Sequence, residues 1–178
     1  MLYELFSLVF ALLMIVAMVW FMYFFIAGFF RSPFVPSNRI TVDKMLRLAE
    51  IKKGEHVFDL GCGDGRIVFA AEKLGAVAVG YEISRFVWFL SQIRRYFTKS
   101  RSEIRCKNFF KADLHSADVV FCYLLPHVMK ALKPKFEKEL KKGARIISAG
   151  FSIPDWEQVG DHPRDGTGAI RIFVYRKK

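Results

Sequence analysis

Residues 5–30 contain no charged side chain, and only Ser7 and Gly28 interrupt an apolar, aromatic-rich run. No other feature narrows the possible folds as much. At ~1.5 Å per helical residue the run reaches roughly 39 Å, more than the roughly 30 Å hydrocarbon core of a bilayer requires. A soluble helix of that length would carry a polar stripe to meet water, and this segment has none. A cleaved signal peptide would begin with basic residues and have a shorter apolar core of roughly 7–15 residues. Here Glu4 is the one charged side chain before the run, and no small-x-small site follows it. The expectation is an uncleaved anchor over residues 1–31, held in the lipid bilayer, followed by a folded domain over residues 32–178. Arg31, Arg39, Lys44 and Arg47 follow the run and no basic side chain precedes it. The positive-inside rule therefore predicts a single-pass membrane protein with its domain on the cytoplasmic side.

All 28 Lys and Arg residues lie beyond the run, against 17 acidic residues of which Glu4 precedes it, leaving about +12 on the domain. Nucleic acid, anionic head groups and acidic protein surfaces could each exploit such a field. Beside a membrane, attraction to anionic lipid is the simplest account. Cys62, Cys106 and Cys122 show no CxxC pairing and no metal-ligand spacing. No metal is expected, and the cysteines fit a reduced compartment.

The domain reads as alternating strands and helices. A linker over residues 31–38 holds two prolines, and an amphipathic helix is predicted over 41–51. Strands are predicted over 56–60, 76–81, 104–107, 119–124, 144–148 and 169–175, with a weaker one near 158–159. Helices are predicted over 66–74, 84–97 and 126–141, the second with an apolar face at Phe86, Leu90 and Ile93. Such alternation specifies an α/β fold with a mostly parallel sheet covered on both faces.

The strongest motif is Val57-Phe58-Asp59-Leu60-Gly61-Cys62-Gly63-Asp64-Gly65-Arg66. It leaves a strand and opens a helix, the context a nucleotide-binding loop needs. Arg66 occupies the third glycine position of a dinucleotide loop, so the spacing is G-x-G-x-G after an acid. That spacing resembles motif I of class I methyltransferases. The resemblance implies that Gly61, Gly63 and Gly65 make room for the methionine part of S-adenosylmethionine and that Asp59 helps hold its ammonium. Glu82 ends the second strand, where a carboxylate can accept both hydroxyls of a ribose. Asn108 and Phe109 follow the third strand, where the adenine would lie.

From Pro33 to Trp156, about 125 residues, the chain resembles a narrower group of seven-strand lysine methyltransferases. The group includes the archaeal broad-specificity protein lysine methyltransferase and the mitochondrial enzymes acting on the adenine nucleotide translocase and the ATP synthase c-subunit. The matching segments are Pro33-Phe34-Val35-Pro36-Ser37, the glycine loop over residues 59–67, Gly80-Tyr81-Glu82, Asn108-Phe109-Phe110, residues 132–140 with Gly143-Ala144-Arg145, and Phe151 to Trp156. The resemblance implies a Rossmann-like seven-strand fold, S-adenosylmethionine as cofactor and a protein lysine as acceptor. It also implies cofactor contacts from Pro36, Ser37, Cys62 and Asp64. The chain departs from the archaeal relative at Pro126-His127, which leaves the accepting amine open, and carries Asn108 where an acid is usual.

Methyl transfer from a sulfonium is an in-line displacement, so the protein must align donor and acceptor and exclude water. An apolar channel lowers the pKa of an entering lysine. The expected channel walls are Phe34, Tyr123, Phe151 and Trp156. Enzymes acting on nucleobase amino groups usually carry Asn/Asp-Pro-Pro-aromatic after the fourth strand; Cys122-Tyr123-Leu124-Leu125-Pro126 stands there, which disfavours nucleic acid. Two other functions remain open: methylation of a lipid or lipophilic small molecule, and a non-catalytic, membrane-tethered cofactor-binding module.

Overall fold

The computed structural model describes residues 2–30, 36–164 and 166–178; of residues 2 and 23–30 it describes the backbone alone. Phe34 and the remainder of 31–35 lie outside the described residues. The chain divides into two units, residues 1–33 and 34–178.

The described residues of the first unit form a single helix, α1 (Leu2–Phe30). Its described side chains, residues 3–22, are all exposed. It is long and apolar enough to cross a bilayer.

The second unit opens with α2 (Arg39–Ala49), capped by the Asn38 side chain, which accepts from the Thr41 N–H at 2.7 Å. Then follow β1 (His56–Leu60), α3 (Arg66–Lys73), β2 (Val77–Glu82), α4 (Arg85–Thr98), β3 (Glu103–Cys106), β4 (Val119–Cys122), α5 (Pro126–Glu139), β5 (Arg145–Ala149), β6 (Gln158–His162) and β7 (Ile172–Arg176). The seven strands form one sheet in the order β3-β2-β1-β4-β5-β7-β6. The first five are parallel; β7 runs antiparallel to both β5 and β6. The order reverses between β1 and β4, and such a switch point opens a crevice beyond the C-terminal ends of the strands.

Alternation along each strand splits the core in two. Val57, Phe121 and Ile147 face one cluster with Met45, Val68 and Phe69 of α2 and α3. Phe58, Val120 and Ile146 face the other with Met129, Leu132 and Phe136 of α5. Side chains that point to opposite faces at successive positions bury both sides of a sheet when helices cover each. Among the described residues both clusters draw only on the chain from Val42 onward.

The expected apolar face of α4, at Phe86, Leu90 and Ile93, is present and exposed. The helix instead buries Val87 and Ser91, and the Trp88 indole N–H donates to the Ile104 carbonyl of β3 at 2.8 Å. The helix carries two apolar stripes, and the half-buried Trp88 selects the one that satisfies a polar group against the sheet.

Candidate active site

The C-terminal ends of β1, β2, β4 and β5 gather most of the predicted site residues on one edge of the sheet. Register places Asp59 beside Gly80 and Phe121, and Leu60 beside Tyr81 and Cys122. After Leu60 the chain turns sharply. The Gly61 and Cys62 N–H groups both donate to the Tyr81 carbonyl, at 2.9 and 3.0 Å. Gly65 adopts φ 79°, in the left-handed region, and a Cβ there would stand 2.7 Å from the Phe69 ring. Glycine is required at this position on both counts.

Glu82 closes the loop. Its carboxylate accepts from the Gly63 N–H at 3.1 Å and from the Ser84 N–H at 2.8 Å. Asp59 and Glu82 are both buried, and among the described residues no cation pairs with either. Burial first, and then the charges of Glu82 and Asp64, push the Asp59 carboxyl up to about 8. Asp64 behaves differently. Partial burial would raise it, but Arg66 and Arg94 outweigh that and hold its carboxylate below the usual range. Arg66 grips Asp64 bidentately at 2.9 and 2.8 Å, Arg94 pairs with it from α4, and Arg66 also donates to the Ser37 carbonyl. The proline-loop end, the glycine loop and α4 are thus clamped through one carboxylate.

The remaining cofactor candidates sort by geometry. Pro36 is exposed and Ser37 half-buried. The Cys62 side chain is turned under the loop into the core, where it packs so close to Gly80 that a Cβ there would meet its Sγ at 2.6 Å. Its backbone is what remains on the loop. Asn108 caps a short 3-10 turn, Phe109–Lys111, by accepting from the Phe110 N–H at 2.9 Å. Phe109 is half-buried against the α5-side core.

Of the four expected channel walls, the structure brings two together. Tyr123 and Phe151 line a cleft of about 550 Å³ with Gly150, Pro163, Arg164, Ile170 and Arg171. Among the described residues no carboxylate or imidazole lines it. The loop after β5 is held by Ser148, which donates to the Phe151 carbonyl at 2.6 Å. Trp156 lies elsewhere: its ring stands 6.1 Å from both Phe136 and Tyr175, on the α5-side core. Alternation and loop length do not reveal which aromatic in a loop turns inward, and here the half-buried Trp156 fills the gap between α5 and β7. His127 is exposed at the start of α5.

Pro163, Arg164, Ile170 and Arg171 were not expected from the sequence. Their one signal is the Asp165-Gly166-Thr167-Gly168 turn, which marks a hairpin between β6 and β7 without saying that its arms border the cleft.

Two buried carboxyls, Asp59 and Glu82, without a cation among the described residues and beside a glycine turn, suit a ligand that brings positive charge, hydroxyls and a narrow chain. S-adenosylmethionine supplies an ammonium, a sulfonium and a ribose, so the residues fit it. Residues 59–160 match the family described as the ANTKMT methyltransferase domain. The chain belongs to that family.

Relatives extend the match. A protein-lysine N-methyltransferase of Saccharolobus islandicus is 43% identical over 70% of this chain and 80% of its own length. The lysine N-methyltransferase of Rattus norvegicus that acts on the ATP synthase c-subunit is 33% identical over 80% of this chain and 65% of its own length. The RNA methyltransferase of Salinibacter ruber, solved with S-adenosyl-L-homocysteine, superposes with a TM-score of 0.75 at 31% identity, covering 80% of this chain and 93% of that one. This family member is a methyltransferase of the class I, seven-strand fold, and S-adenosylmethionine is its methyl donor.

Proposed function

We propose that this methyltransferase is a membrane-anchored protein-lysine N-methyltransferase that modifies membrane or membrane-adjacent proteins. The observation that carries the reading is the cleft bounded by Tyr123 and Phe151. It lies at the strand ends that follow the glycine loop in the sheet, in a chain 43% identical to a protein-lysine N-methyltransferase. Asp59 holds the cofactor ammonium and Glu82 the ribose hydroxyls. The backbone of Gly61, Cys62, Gly63 and Gly65 makes room for the methionine chain. Asp64 keeps the loop in place through Arg66 and Arg94. Pro36 and Ser37 border the cofactor from the linker side, with Asn108 and Phe109 beside the adenine. Phe34 is proposed as a further channel wall, on the sequence argument alone.

When bound, the cofactor supplies an electrophilic methyl group on a sulfonium. The chain's own residues then align the acceptor and keep it neutral. Tyr123 and Phe151 strip water from an entering amine, and the guanidinium of Arg164 on the same cleft disfavours a second positive charge beside it. Both effects lower the amine pKa from its free value near ~10.4, so no dedicated base is needed. The anchor is α1, with the domain on the cytoplasmic side, where its basic residues follow the helix.

The test is radiolabelled methyl transfer into a membrane fraction, separated into protein, lipid and RNA. Methyl-lysine in the protein hydrolysate is the expected product, with a rate that rises with pH. Label in extractable lipid would replace the acceptor class, and label in RNA would align the chain with its Salinibacter neighbour. Cofactor binding without transfer to any fraction would make it a non-catalytic module. Tyr123→Ala or Phe151→Ala should lower turnover about tenfold or more with cofactor affinity kept. Trp156→Ala should cost about 2 kcal/mol of stability and leave turnover per folded molecule unchanged.

A further inference from the structure

The outward face of α4 is the largest apolar feature of the second unit without a partner among the described residues. Phe86, Phe89, Leu90, Ile93, Tyr96 and Phe97 are all exposed, with Phe86 at 70%, Tyr96 at 80% and Phe97 at 77% of their full surface open. Their spacing of three and four places them on one side of the helix, opposite the buried Val87 and Ser91. Six large side chains together exceed what a soluble monomer normally leaves to water, and a contiguous patch of this kind marks an interaction surface.

Charge narrows the partner. Between residues 85 and 102 there is no acidic side chain, while Arg85, Arg94, Arg95, Lys99 and Arg101 are basic. Arg85 opens the helix, and Lys99 and Arg101 follow its end, all three exposed. A helix with an aromatic apolar face and cationic ends lies in a membrane interface, its apolar side sunk roughly 5–10 Å below the head groups. A second copy of this chain would instead bring like charges against each other across a two-fold contact.

We propose that the exposed face of α4 is a membrane-docking surface that inserts into an anionic phospholipid bilayer. Through this surface the methyltransferase unit rests on the bilayer. Because Arg94 of α4 grips Asp64 of the glycine loop, the cofactor site is clamped to the docked helix. Docking through α4 extends the membrane half of the proposed function but does not depend on α1.

The two are separated by testing the chain from Arg31 onward, which keeps every residue of both core clusters. It is mixed with vesicles of phosphatidylcholine alone or of phosphatidylcholine with phosphatidylserine, then sedimented. The expected result is binding to the anionic vesicles and far less to the neutral ones. Phe89→Glu with Phe97→Glu should abolish sedimentation, and Lys99→Glu or Arg101→Glu should each weaken it about fivefold. These side chains are exposed, so the melting temperature and cofactor affinity should stay as in the parent. Equal binding to neutral vesicles, no binding to either, or variants that bind like the parent would overturn the proposal. So would a concentration-dependent dimer in ultracentrifugation that the Phe89 and Phe97 changes dissolve. The anchor is judged separately: full-length chain released from membranes by alkaline carbonate would sink the α1 reading and leave α4 untouched.

Discussion

The two ends of the parallel strands hold acidic residues in opposite ways. At the N-terminal end the acids are matched with cations. Arg145, at the start of β5, pairs with Glu55 at 2.5 Å and donates to the Glu50 carbonyl at 2.9 Å. Lys141 pairs with Asp118 at 2.5 Å, and Asp118 also accepts from the His56 N–H at 2.8 Å. At the C-terminal end Asp59 and Glu82 are buried without a cation among the described residues. Acids matched with cations belong to the architecture; buried carboxyls without a cation, beside a glycine turn, suit a ligand that brings the positive charge.

The largest test concerns Asp59. Its carboxyl titrates near 8 in the folded chain and near ~3.9 in an unfolded one. Between those values the folded chain holds a proton that the unfolded chain has lost. Stability of the cofactor-free unit is therefore full below pH ~4 and falls as pH rises towards 8, by at most about 5 kcal/mol. Asp59→Asn should flatten that slope in denaturant titrations at several pH values. The cationic cofactor should favour the carboxylate, so its binding near neutral pH should release a proton, visible as a buffer-dependent calorimetric heat. A pH-independent unfolding curve would show that the carboxylate is not strained.

Arg145→Ala should cost about 1–3 kcal/mol, because it leaves the half-buried Glu55 carboxylate and the Glu50 carbonyl without their donor. Cofactor affinity of the folded fraction should not change, since the pair sits at the other end of the sheet. A thermal melt and a binding isotherm on one sample check both halves.

Glu82→Ala should reverse that pattern. A charge-assisted hydrogen bond to a hydroxyl is worth roughly 1.5–3 kcal/mol, so cofactor affinity should fall about ten- to a hundredfold. The mild effect expected on stability follows from the loss of bonds to Gly63 and Ser84 alone. Calorimetry giving the parent's affinity would remove the ribose assignment.

The smallest effect belongs to Lys141→Met. That side chain is half exposed where it meets Asp118, so solvent screens the pair and the loss should not exceed about 1 kcal/mol. A larger loss would mean that the N-terminal end is as strained as the other.

Much of this was legible in the chain. Period-two and period-3.6 patterns placed every strand and helix within a few residues, because each element of a two-faced sheet must hide its own apolar side. The 3-10 turn after β3 was missed, since a single turn leaves no period. The glycine turn was legible because backbone geometry restricts which residues can stand there. The aromatic walls were not. Tyr123, Phe151 and Trp156 have the same chemistry, and only packing sends the first two to the cleft and the third to α5.

Local sequence alone determined the class of fold, the turn at the strand-to-helix junction, and a first helix long and apolar enough to cross a bilayer. Each depends on interactions among neighbours: hydrophobic period, glycine's freedom at positive φ, an unbroken apolar run. Tertiary structure decided which of the two stripes of α4 meets the sheet and which aromatics border the cleft. It also decided that Asp64 would be neutralised by Arg66 and Arg94 while Asp59 would not. Those outcomes depend on residues tens of positions apart arriving in contact, and on the competition between burying a charge and pairing it, which no local pattern records.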